Sequence, residues 1–319
     1  LFLDDTDELL PVEFNIYLYA DFINNNTTIN YNDIFEYELD VSLNQKGFPI
    51  PTSEIRSSPL VIDLDNDGDN EIIFGDYDGI IHIYNSDGTE LINNWFPYNT
   101  EDVIWASAAS ADIDNDGNLD FVIPSMNNLY IFDHTGLKLN YQSELYLVGT
   151  PAIGNLDNDE YLEIVFSGYS PNNKLFAINH DGSNVNGFPI NLEEKTKAGP
   201  ALADFNTNGK DDIVIGTDNN NIYLIYDSGI IAPNFPFIAN NSFQAPPSIG
   251  NINGELIIFA GNNDNSLYAI NSDGSLRFSI LTGGQVNTTP AFVTIDGNIY
   301  ITFSSTDNSI YVVDISGNS

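Results

Sequence analysis

The sequence predicts an all-β fold made of repeated four-stranded units. Six copies of the unit follow one another at steps of about 43 to 50 residues, and two landmarks recur in phase. The first landmark opens an apolar run, at Pro59, Ala109, Pro151, Pro200, Pro247 and Pro290. The second ends an alternating strand, at Gly88, Gly136, Gly182, Gly229, Gly274 and Gly317. No segment has the apolar spacing of a helix.

Each unit contains four short strand patterns. In the first unit they are "SSPLVID", "NEIIFGD", "IIHIYN" and a stretch around a Phe-Pro pair, which four copies carry. Branched and aromatic residues dominate these patterns, and Gly, Asn, Asp and Ser separate them. Four strands per unit at this period predict the blades of a β-propeller. We expect a six-bladed β-propeller over residues 47–319.

The sixth unit supplies only three strands before the sequence ends. The tetrapeptide "GFPI" at residues 47–50 also occurs at residues 187–190, so we expect it to provide the missing outer strand. Such closure would remove open sheet edges. Seven blades are the alternative, with the N-terminal residues forming most of the seventh.

Residues 1–46 do not fit the repeat. "VEFNIYLYADF" and "IFEYELDVSL" alternate apolar and polar residues over longer strands, and the polar stretch "INNNTTINYND" is predicted to join them as a loop. We interpret this segment as the C-terminal part of a preceding β-sandwich-like domain or as a linker.

Composition excludes several classes of partner and site. The chain has 8 basic and 46 acidic residues, and its net charge of −38 would repel nucleic acid and anionic membranes. It has no cysteine, so disulfides and thiolate metal sites are excluded. No apolar run approaches the roughly 18 residues of a membrane span, so membrane insertion is not expected. The first residues lack the features of a signal peptide, and an export signal would lie upstream.

An acidic loop lies between the first and second strands of four units. The first reads "DLDNDGDNE" from Asp63 to Glu71, with acids at every odd position and glycine at the sixth. Oxygens at alternate positions point toward one centre, and the glycine permits a sharp turn. Such a loop predicts a site for a hard cation, which takes about six to eight oxygen ligands. Calcium fits best, since magnesium demands stricter geometry and zinc prefers nitrogen and sulfur.

Three further loops repeat the pattern, and two alternatives are weaker. The loops read "DIDNDGNLD" from Asp112, "NLDNDEYLE" from Asn155 and "DFNTNGKDD" from Asp204. An EF-hand would need an acid at position twelve, where Phe74 and Ile123 stand. One isolated loop could be a solvated turn, but four copies in phase favour metal sites. Units five and six have only "NINGE" and "TIDGN", too short for the loop.

These loops, with "IIFGD" and "IVIGT" after them, resemble the FG-GAP repeats of integrin α-subunit propellers and the VCBS-type repeats of secreted bacterial proteins. The resemblance covers about residues 54–319. It implies calcium ligation by side chains at positions one, three, five and nine and by the carbonyl at position seven. The implied side-chain ligands are Asp63, Asp65, Asp67, Glu71, Asp112, Asp114, Asp116, Asp120, Asn155, Asp157, Asp159, Glu163, Asp204, Asn206, Asn208 and Asp212. The implied carbonyl ligands are Asp69, Asn118, Tyr161 and Lys210. The resemblance also implies a structural role for calcium on the lower face, with partners on the opposite face.

We expect three to four calcium ions of graded affinity. Affinity rises with ligand charge, and the first two loops offer the most carboxylates. The third has Glu160 in place of the turn glycine, which predicts backbone strain, and the fourth has Asn206 and Asn208, whose neutral oxygens bind more weakly.

No catalytic residue is predicted. The sequence contains no GxSxG elbow, P-loop or GxGxxG motif, and its histidines, His82, His134 and His180, are expected at exposed positions. Candidate ligand contacts are aromatic. Tyr77 and Tyr169 lie in second-to-third-strand loops, and Trp95 lies on an outer strand. Trp105 aligns with Ile55, Leu147, Phe243 and Val286 and is predicted to pack between blades.

Two functional hypotheses follow. The first is a non-catalytic, calcium-stabilised module of a secreted or cell-surface protein, monomeric, that binds a glycan or protein partner. Propellers that this one resembles also occur downstream of subtilisin-like proteases, so the chain could serve a larger secreted enzyme. The alternative is a carbohydrate-active enzyme, a glycosidase or lyase, with its site on the top face.

Overall fold

A computed structural model describes residues 10–24, 27–41, 47–170 and 173–318. Regular structure in these ranges is entirely β, as predicted. They contain no helix, and hence none long and apolar enough to cross a membrane. The chain divides into two compact units: Leu1–Pro51 with Asp87–Thr89, and Thr52–Ser86 with Glu90–Ser319. The predicted domain limit at residue 46 stays a prediction.

The first compact unit contains a long antiparallel hairpin. Strands β1 (Leu10–Asn24) and β2 (Thr27–Val41) pair in register from Leu10 with Val41 to Asn24 with Thr27, as a separate two-stranded sheet. The predicted polar loop at residues 23–33 is therefore wrong, because its described residues continue both strands. In an exposed ribbon, cross-strand backbone hydrogen bonds hold polar residues in β structure without an apolar face.

The second compact unit contains six antiparallel sheets, each formed by strands that are consecutive in sequence. The first sheet has β3 (Leu60–Ile62), β4 (Glu71–Gly75), β5 (Ile80–Asn85) and β6 (Tyr98–Asn99). The second has β7 (Ala109–Ala111), β8 (Asp120–Ser125), β9 (Asn128–Asp133) and β10 (Gly136–Gln142). The third has β11 (Ala152–Gly154), β12 (Glu163–Ser167), β13 (Lys174–Ile178) and β14 (Ile190–Asn191). The fourth has β15 (Ala201–Ala203), β16 (Asp212–Gly216), β17 (Asn221–Ile225) and β18 (Phe237–Ile238). The fifth has β19 (Ser248–Ile252), β20 (Glu255–Asn262), β21 (Ser266–Asn271) and β22 (Leu276–Leu281). The sixth has β23 (Ala291–Ile295), β24 (Asn298–Ser305) and β25 (Ser309–Asp314).

The sheets pack face to face around their first strands. Strand β11 contacts both β7 and β15, and β15 contacts β19. Separate apolar clusters fill the spaces between successive sheets. In β8, Phe121 and Ile123 pack toward the first sheet, whereas Val122 between them packs toward the third. Because side chains alternate along a strand, a central strand buried on both faces is continuously apolar. This arrangement is that of a β-propeller.

The segment at residues 47–50 forms no strand. A Cβ on Gly47 would lie 2.2 Å from the carbonyl oxygen of Asp87, in the turn after β5. A Cβ on Gly187 would lie 2.3 Å from the carbonyl oxygen of Ser228, in the turn after β17. The segment at residues 47–50 thus makes the same kind of glycine-to-turn contact as residues 187–190. Its pairing with β25, and the count of six blades, stay predictions.

Two kinds of outer strand explain why two copies lack the Phe-Pro pair. In the first, third and fourth sheets the outer strand has two residues and follows a cis Phe-Pro bond. In the second and fifth sheets it has seven and six residues and follows the turn at once. An early outer strand leaves no room for the Phe-Pro segment.

One repeat landmark was misplaced by a residue. Pro59 and Pro200 each stand directly before the first strand of their sheet, but β7 begins at Ala109 itself. The structural equivalent of these prolines is therefore Ala108, not Ala109. The second repeat therefore has one more residue than predicted between its landmark and its acidic loop, which is the same spacing as in the first and fourth repeats.

Candidate metal centres and the opposite face

Each acidic loop is closed by the register of the first two strands. Position nine is the first residue of the second strand and pairs with the last residue of the first: Glu71 pairs with Ile62, and Glu163 with Gly154. The same holds for Asp120. The carboxylate at position nine is thereby fixed at the base of its loop.

An apolar residue at position two anchors each of the first three loops. Leu64 is 1% exposed, and its backbone N–H donates to Glu71 Oε2 at 2.8 Å. Ile113 donates in the same way to Asp120 Oδ2 at 3.0 Å, and the N–H of Leu156 donates to Glu163. Sequence reasoning missed these residues, although an apolar residue at position two of an acidic loop was a visible signal.

The turn of the first loop wraps around its first carboxylate. The N–H groups of Asp67 and Gly68 donate to Asp63 Oδ1 and Oδ2, both at 3.1 Å. Positive φ values at Asn66 (61°) and Gly68 (94°) aim these groups inward. Glycine adopts such a conformation without steric cost. The second and fourth loops repeat the turn, with positive φ at positions four and six.

The third loop departs from this turn. Neither Asn158 nor Glu160 has a positive φ, so the strain predicted at Glu160 is wrong. The backbone takes another path that a residue with a Cβ can follow. This loop still keeps the hydrogen bond from the N–H of Tyr161 to Asp159 Oδ1, at 2.8 Å.

Three of the four loops bring carboxylates together. In each, three carboxylate oxygens lie within 4.8 Å of one another. The groups are Asp63, Asp65 and Glu71; Asp112, Asp114 and Asp120; and Asp157, Asp159 and Glu163. They come from positions one, three and nine in two loops and from three, five and nine in the third.

Other predicted ligands lie outside these groups. Asp67 and Asp116 at position five instead accept hydrogen bonds from the N–H groups of Asp69 and Asn118, at 2.9 and 2.8 Å. Asn155 at position one stands where the first two loops have Asp. The carbonyl ligands at Asp69, Asn118, Tyr161 and Lys210 stay predictions.

Burial makes the acids at position nine costly to ionise without a cation. Desolvation, with a smaller contribution from the neighbouring carboxylates, raises the pKa of Asp120 to about 6 and that of Glu163 to about 7. Desolvation also raises the pKa of Glu71. A bound cation would reverse this penalty, because it favours the charged form.

Unsatisfied oxygens mark the second and third loops. Asp114 Oδ1, Asn155 Oδ1 and Glu163 Oε1 are buried and have no hydrogen-bond partner among the described residues. Buried polar atoms are nearly always paired with protein, water or an ion. Groups of three residues that offer only oxygen ligands, some of them with unpaired oxygens, fit a hard cation such as calcium.

The fourth loop satisfies its own acid. Asp212 accepts hydrogen bonds from the N–H groups of Phe205, Asn206 and Asp227, at 2.9 to 3.1 Å. The side-chain amide of Asn206 donates to it as well, at 3.1 Å. Burial still raises the pKa of Asp212, to about 6. Four donors leave little of this carboxylate for a cation.

An acid from the fourth sheet reaches the third loop. Asp211 Oδ2 accepts a hydrogen bond from the N–H of Asn155 at 3.1 Å, and its own N–H donates to the carbonyl of Asn155 at 2.7 Å. A Cβ on Gly154 would lie 2.5 Å from Asp211 Oδ2, so glycine is needed for the approach. Sequence reasoning missed Asp211, because the contact joins neighbouring sheets.

Two cavities lie at opposite ends of the strands. One of about 970 Å³ borders the fourth acidic loop. The other, of about 800 Å³, lies at the opposite end and is here called the aromatic cavity. Its lining consists of Tyr77, Asp102, Val103, Trp105, Met126, Tyr146, Val148, Tyr169 and Lys197. The structure thus brings the two nominated tyrosines, Tyr77 and Tyr169, into one cavity.

The prediction that Trp105 packs between blades is wrong. Trp105 is 41% exposed, whereas Ile104 before it is fully buried. The N–H of Ile104 donates to the carbonyl of Asp76 (3.3 Å), as that of Leu147 donates to Met126 (2.7 Å). Ile104 therefore takes the packing position. Trp105 is the next residue and lines the cavity, and the prediction failed because the second repeat had been aligned one residue out of phase.

Trp95 lies apart from the aromatic cavity. It is 43% exposed, and its ring covers Gly136, the first residue of β10, where a Cβ would lie 2.3 Å from the ring. It contributes nothing to the lining of the aromatic cavity.

The histidines are less exposed than predicted. The His82 side chain is 14% exposed, and its Nε2 and Nδ1 lie 3.1 Å from Asp76 Oδ2 and 2.9 Å from Glu90 Oε1. Its ring stacks on Phe74 and Tyr84. His134 and His180 are partly buried. Third strands are covered on both faces by neighbouring elements, which the sequence pattern alone did not show.

Comparisons with known proteins agree with this geometry. Residues 63–123 match the family model described as an FG-GAP-like repeat. No curated protein sequence matches the chain. Among solved structures, BBS1N in complex with ARL6DN is similar at 11% identity over 83% of this chain and 80% of that chain, with a TM-score of 0.60.

Two bacterial structures are also similar. The V. cholerae biofilm matrix protein Bap1 matches at 18% identity over 72% of this chain and 40% of that chain, with a TM-score of 0.55. The Pseudomonas aeruginosa PilY1 C-terminal domain matches at 17% identity over 79% and 69%, with a TM-score of 0.51. At these identities the likenesses bear on the fold alone. With the six sheets, they show a β-propeller, and the repeat matched at residues 63–123 is FG-GAP-like.

Proposed function

We propose that this FG-GAP-type repeat propeller is a non-catalytic binding module of a secreted or cell-surface protein. Calcium in the acidic loops stabilises the fold, and the opposite face binds a glycan or protein partner. The first three loops each hold an ion, and the fourth binds weakly.

One observation carries the proposal: carboxylates are grouped in threes at equivalent places in successive sheets. In the first loop Asp63, Asp65 and Glu71 would hold the ion, with equivalent sets in the next two. A bound calcium ion supplies positive charge that neutralises these acids. Buried oxygens without partners, Asp114 Oδ1 and Glu163 Oε1, support this assignment because an ion would satisfy them.

Binding is favoured over catalysis by the lining of the aromatic cavity. Glycoside hydrolysis generally needs two carboxyl groups on either side of the scissile bond. Among the described residues that line the cavity, Asp102 is the one carboxylate. The other lining side chains are aromatic or aliphatic, apart from Lys197, and suit recognition of a ligand.

An extracellular location is supported by one of the similar solved structures. Bap1 is described as a biofilm matrix protein, and this chain has a similar fold. The acidic loops are also suited to a calcium-rich medium, since weak sites fill only at high calcium.

Chelation tests the proposal. Calcium added to chelator-treated protein should bind to the first three loops by titration calorimetry. Because an ion that binds only the folded state stabilises it by mass action, about 2.7 kcal/mol per site at a hundredfold excess over its Kd, chelation should lower Tm strongly. Magnesium at equal concentration is the control and should restore little. An unchanged Tm in chelator, with no calcium binding, would contradict the proposal.

A further inference from the structure

We propose that the aromatic cavity binds an anionic polysaccharide. Its pyranose rings would lie on the exposed aromatic faces, and its carboxylate or sulfate groups would meet Lys195 and Lys197. This inference rests on the proposed function, because it names the ligand of the same binding face.

Equivalent positions of four sheets build the rim of the cavity. Counting from the residue before each first strand, Arg56, Trp105, Val148 and Lys197 stand at the same position of the first to fourth units. Trp105, Val148 and Lys197 line the cavity directly. A ligand lying there would touch several blades at once, as an extended chain of sugars can.

Aromatic side chains supply most of the accessible surface. Trp105 is 41% exposed and Tyr146 is 51% exposed, although both are large amphipathic residues. Tyr77 and Tyr169 are partly buried and line the cavity from the first and third repeats. Tyrosine and tryptophan offer a flat apolar face with a polar edge, which matches a sugar ring with its C–H face and its hydroxyls.

Cations are concentrated beside these rings. Arg56 lies 4.7 Å from the ring centroids of both Tyr77 and Trp105. The ammonium groups of Lys195 and Lys197 lie 4.8 and 5.5 Å from the ring centroid of Tyr169. Three of the eight basic residues of a chain with net charge −38 thus lie against aromatic rings that line one cavity.

The two lysines are available to an anion. Arg56 pairs with Glu54 at 2.9 Å, so its charge is partly balanced. Within the described part of the chain, neither Lys195 nor Lys197 has an acidic partner within 4.0 Å, although the sequence has 46 acidic residues. Their position over Tyr169 leaves N–H donors that can turn toward a carboxylate or sulfate.

An extended acidic peptide fits the cavity less well. Strand addition uses unpaired backbone groups of the receptor. The backbone N–H groups of Tyr77, Ile104, Leu147 and Tyr169 already donate to carbonyls of neighbouring loops, at 2.6 to 3.3 Å. Recognition must therefore come from side chains, which favours stacking of rings over pairing of strands.

The test uses the whole chain at saturating calcium. It measures binding to immobilised oligosaccharides bearing uronate or sulfate groups, to neutral oligosaccharides of matched length, and to oligoglutamate. Trp105→Ala removes the stacking face, and Lys195→Gln with Lys197→Gln removes the two charges. The matched controls are Trp95→Ala, at a tryptophan of equal exposure outside the cavity, and Lys174→Gln, at an exposed lysine of β13. An unchanged Tm shows that each variant is folded.

The expected result is binding to anionic oligosaccharides that weakens as salt rises. Trp105→Ala and the double lysine variant should each weaken it by about tenfold, while both controls stay within about twofold. Equal binding of neutral oligosaccharides, stronger binding of oligoglutamate, no binding to any anionic oligosaccharide, or equal loss in the controls would each overturn the proposal.

The design separates this inference from the proposed function. The calcium-dependent rise in Tm is measured on the same samples. If Tm rises with calcium but no anionic oligosaccharide binds, the polysaccharide inference fails and calcium stabilisation stands. If oligosaccharides bind through Trp105 while calcium leaves Tm unchanged, the calcium part of the proposed function fails alone.

Discussion

At the scale of single residues, position nine of the acidic loops connects the fold to the candidate metal site. Glu163 is fully buried at the start of β12, where its carboxylate accepts the N–H of Leu156 and retains an oxygen without a partner. The sequence identified Glu163 as an acid of the right type at the right spacing. Its burial, and hence its raised pKa, depends on the next sheet and could not be read from local spacing.

The raised pKa of Glu163 predicts a pH dependence whose sign changes with calcium. Burial raises the pKa from 4.5 to about 7, so without calcium its stabilising contribution is present below pH 4.5 and is lost as pH rises through 7. In chelator, Tm should therefore be higher at pH 5.5 than at pH 8. Glu163→Gln should reduce this difference, by about 2 kcal/mol in unfolding free energy at most.

With saturating calcium the direction should reverse, because the ion requires the deprotonated carboxylate. Tm should then be higher at pH 8, and Glu163→Gln should lower it. Thermal unfolding followed by circular dichroism gives both profiles. A variant that melts below wild type by the same amount in chelator and in calcium, at both pH values, would show a packing role instead.

At the scale of elements, each of the four acidic loops connects the first and second strands of its sheet, but the loops differ in backbone path and in how their acids are grouped. The first, second and fourth loops share a turn around the carboxylate at position one, whereas the third takes another backbone path. Predicted strands agree with the structure wherever the alternation of apolar residues is regular. The exception is the N-terminal hairpin of β1 and β2. Its polar residues were interpreted as a loop, although backbone pairing continues through them.

Paired substitutions distinguish stabilisation by a bound metal ion from stabilisation by the turn. Asp63→Asn with Asp112→Asn should abolish most of the calcium-dependent rise in Tm, because each removes a carboxylate from a group of three. Asp204→Asn is the matched control. Asp204 accepts the same two backbone hydrogen bonds, from Asn208 and Gly209, in a loop whose own acid is already satisfied.

The control variant should keep the full calcium response, even if its Tm in chelator falls slightly. Differential scanning calorimetry with and without calcium measures the response of each variant. An equal loss of response in Asp204→Asn would mean that the turn, and not the ion, provides the stabilisation.

At the scale of the whole molecule, charge opposes the fold that the apolar clusters hold together. The net charge is −38, while the apolar residues are gathered between successive sheets. Self-repulsion among like charges destabilises a compact state and is screened by salt. A calcium ion bound in an acidic loop would act on the same repulsion, since it would bring two positive charges to a group of acids.

Salt and calcium should therefore partly replace each other. In chelator, raising sodium chloride from about 0.02 to about 0.5 M should raise Tm, because the Debye length falls well below the spacing of most surface charges. In saturating calcium the same change should have a smaller effect. Choline chloride at equal ionic strength controls for specific sodium binding. If added salt leaves Tm unchanged in chelator, charge repulsion is not a main determinant of stability.

The sequence by itself determined the repeated unit, its four strands and the oxygen-rich loops. These depend on local spacing, because strand alternation and turn chemistry are fixed by residues a few positions apart. Only the tertiary structure decided which acids are buried, that Asp211 reaches the third loop, and that Trp105 rather than Ile104 is exposed. It also gathered Tyr77, Tyr169 and Lys197 from separate units into one cavity. Such convergence depends on how one sheet packs on the next, and an alignment error of one residue in a single repeat is enough to interchange a buried and an exposed residue.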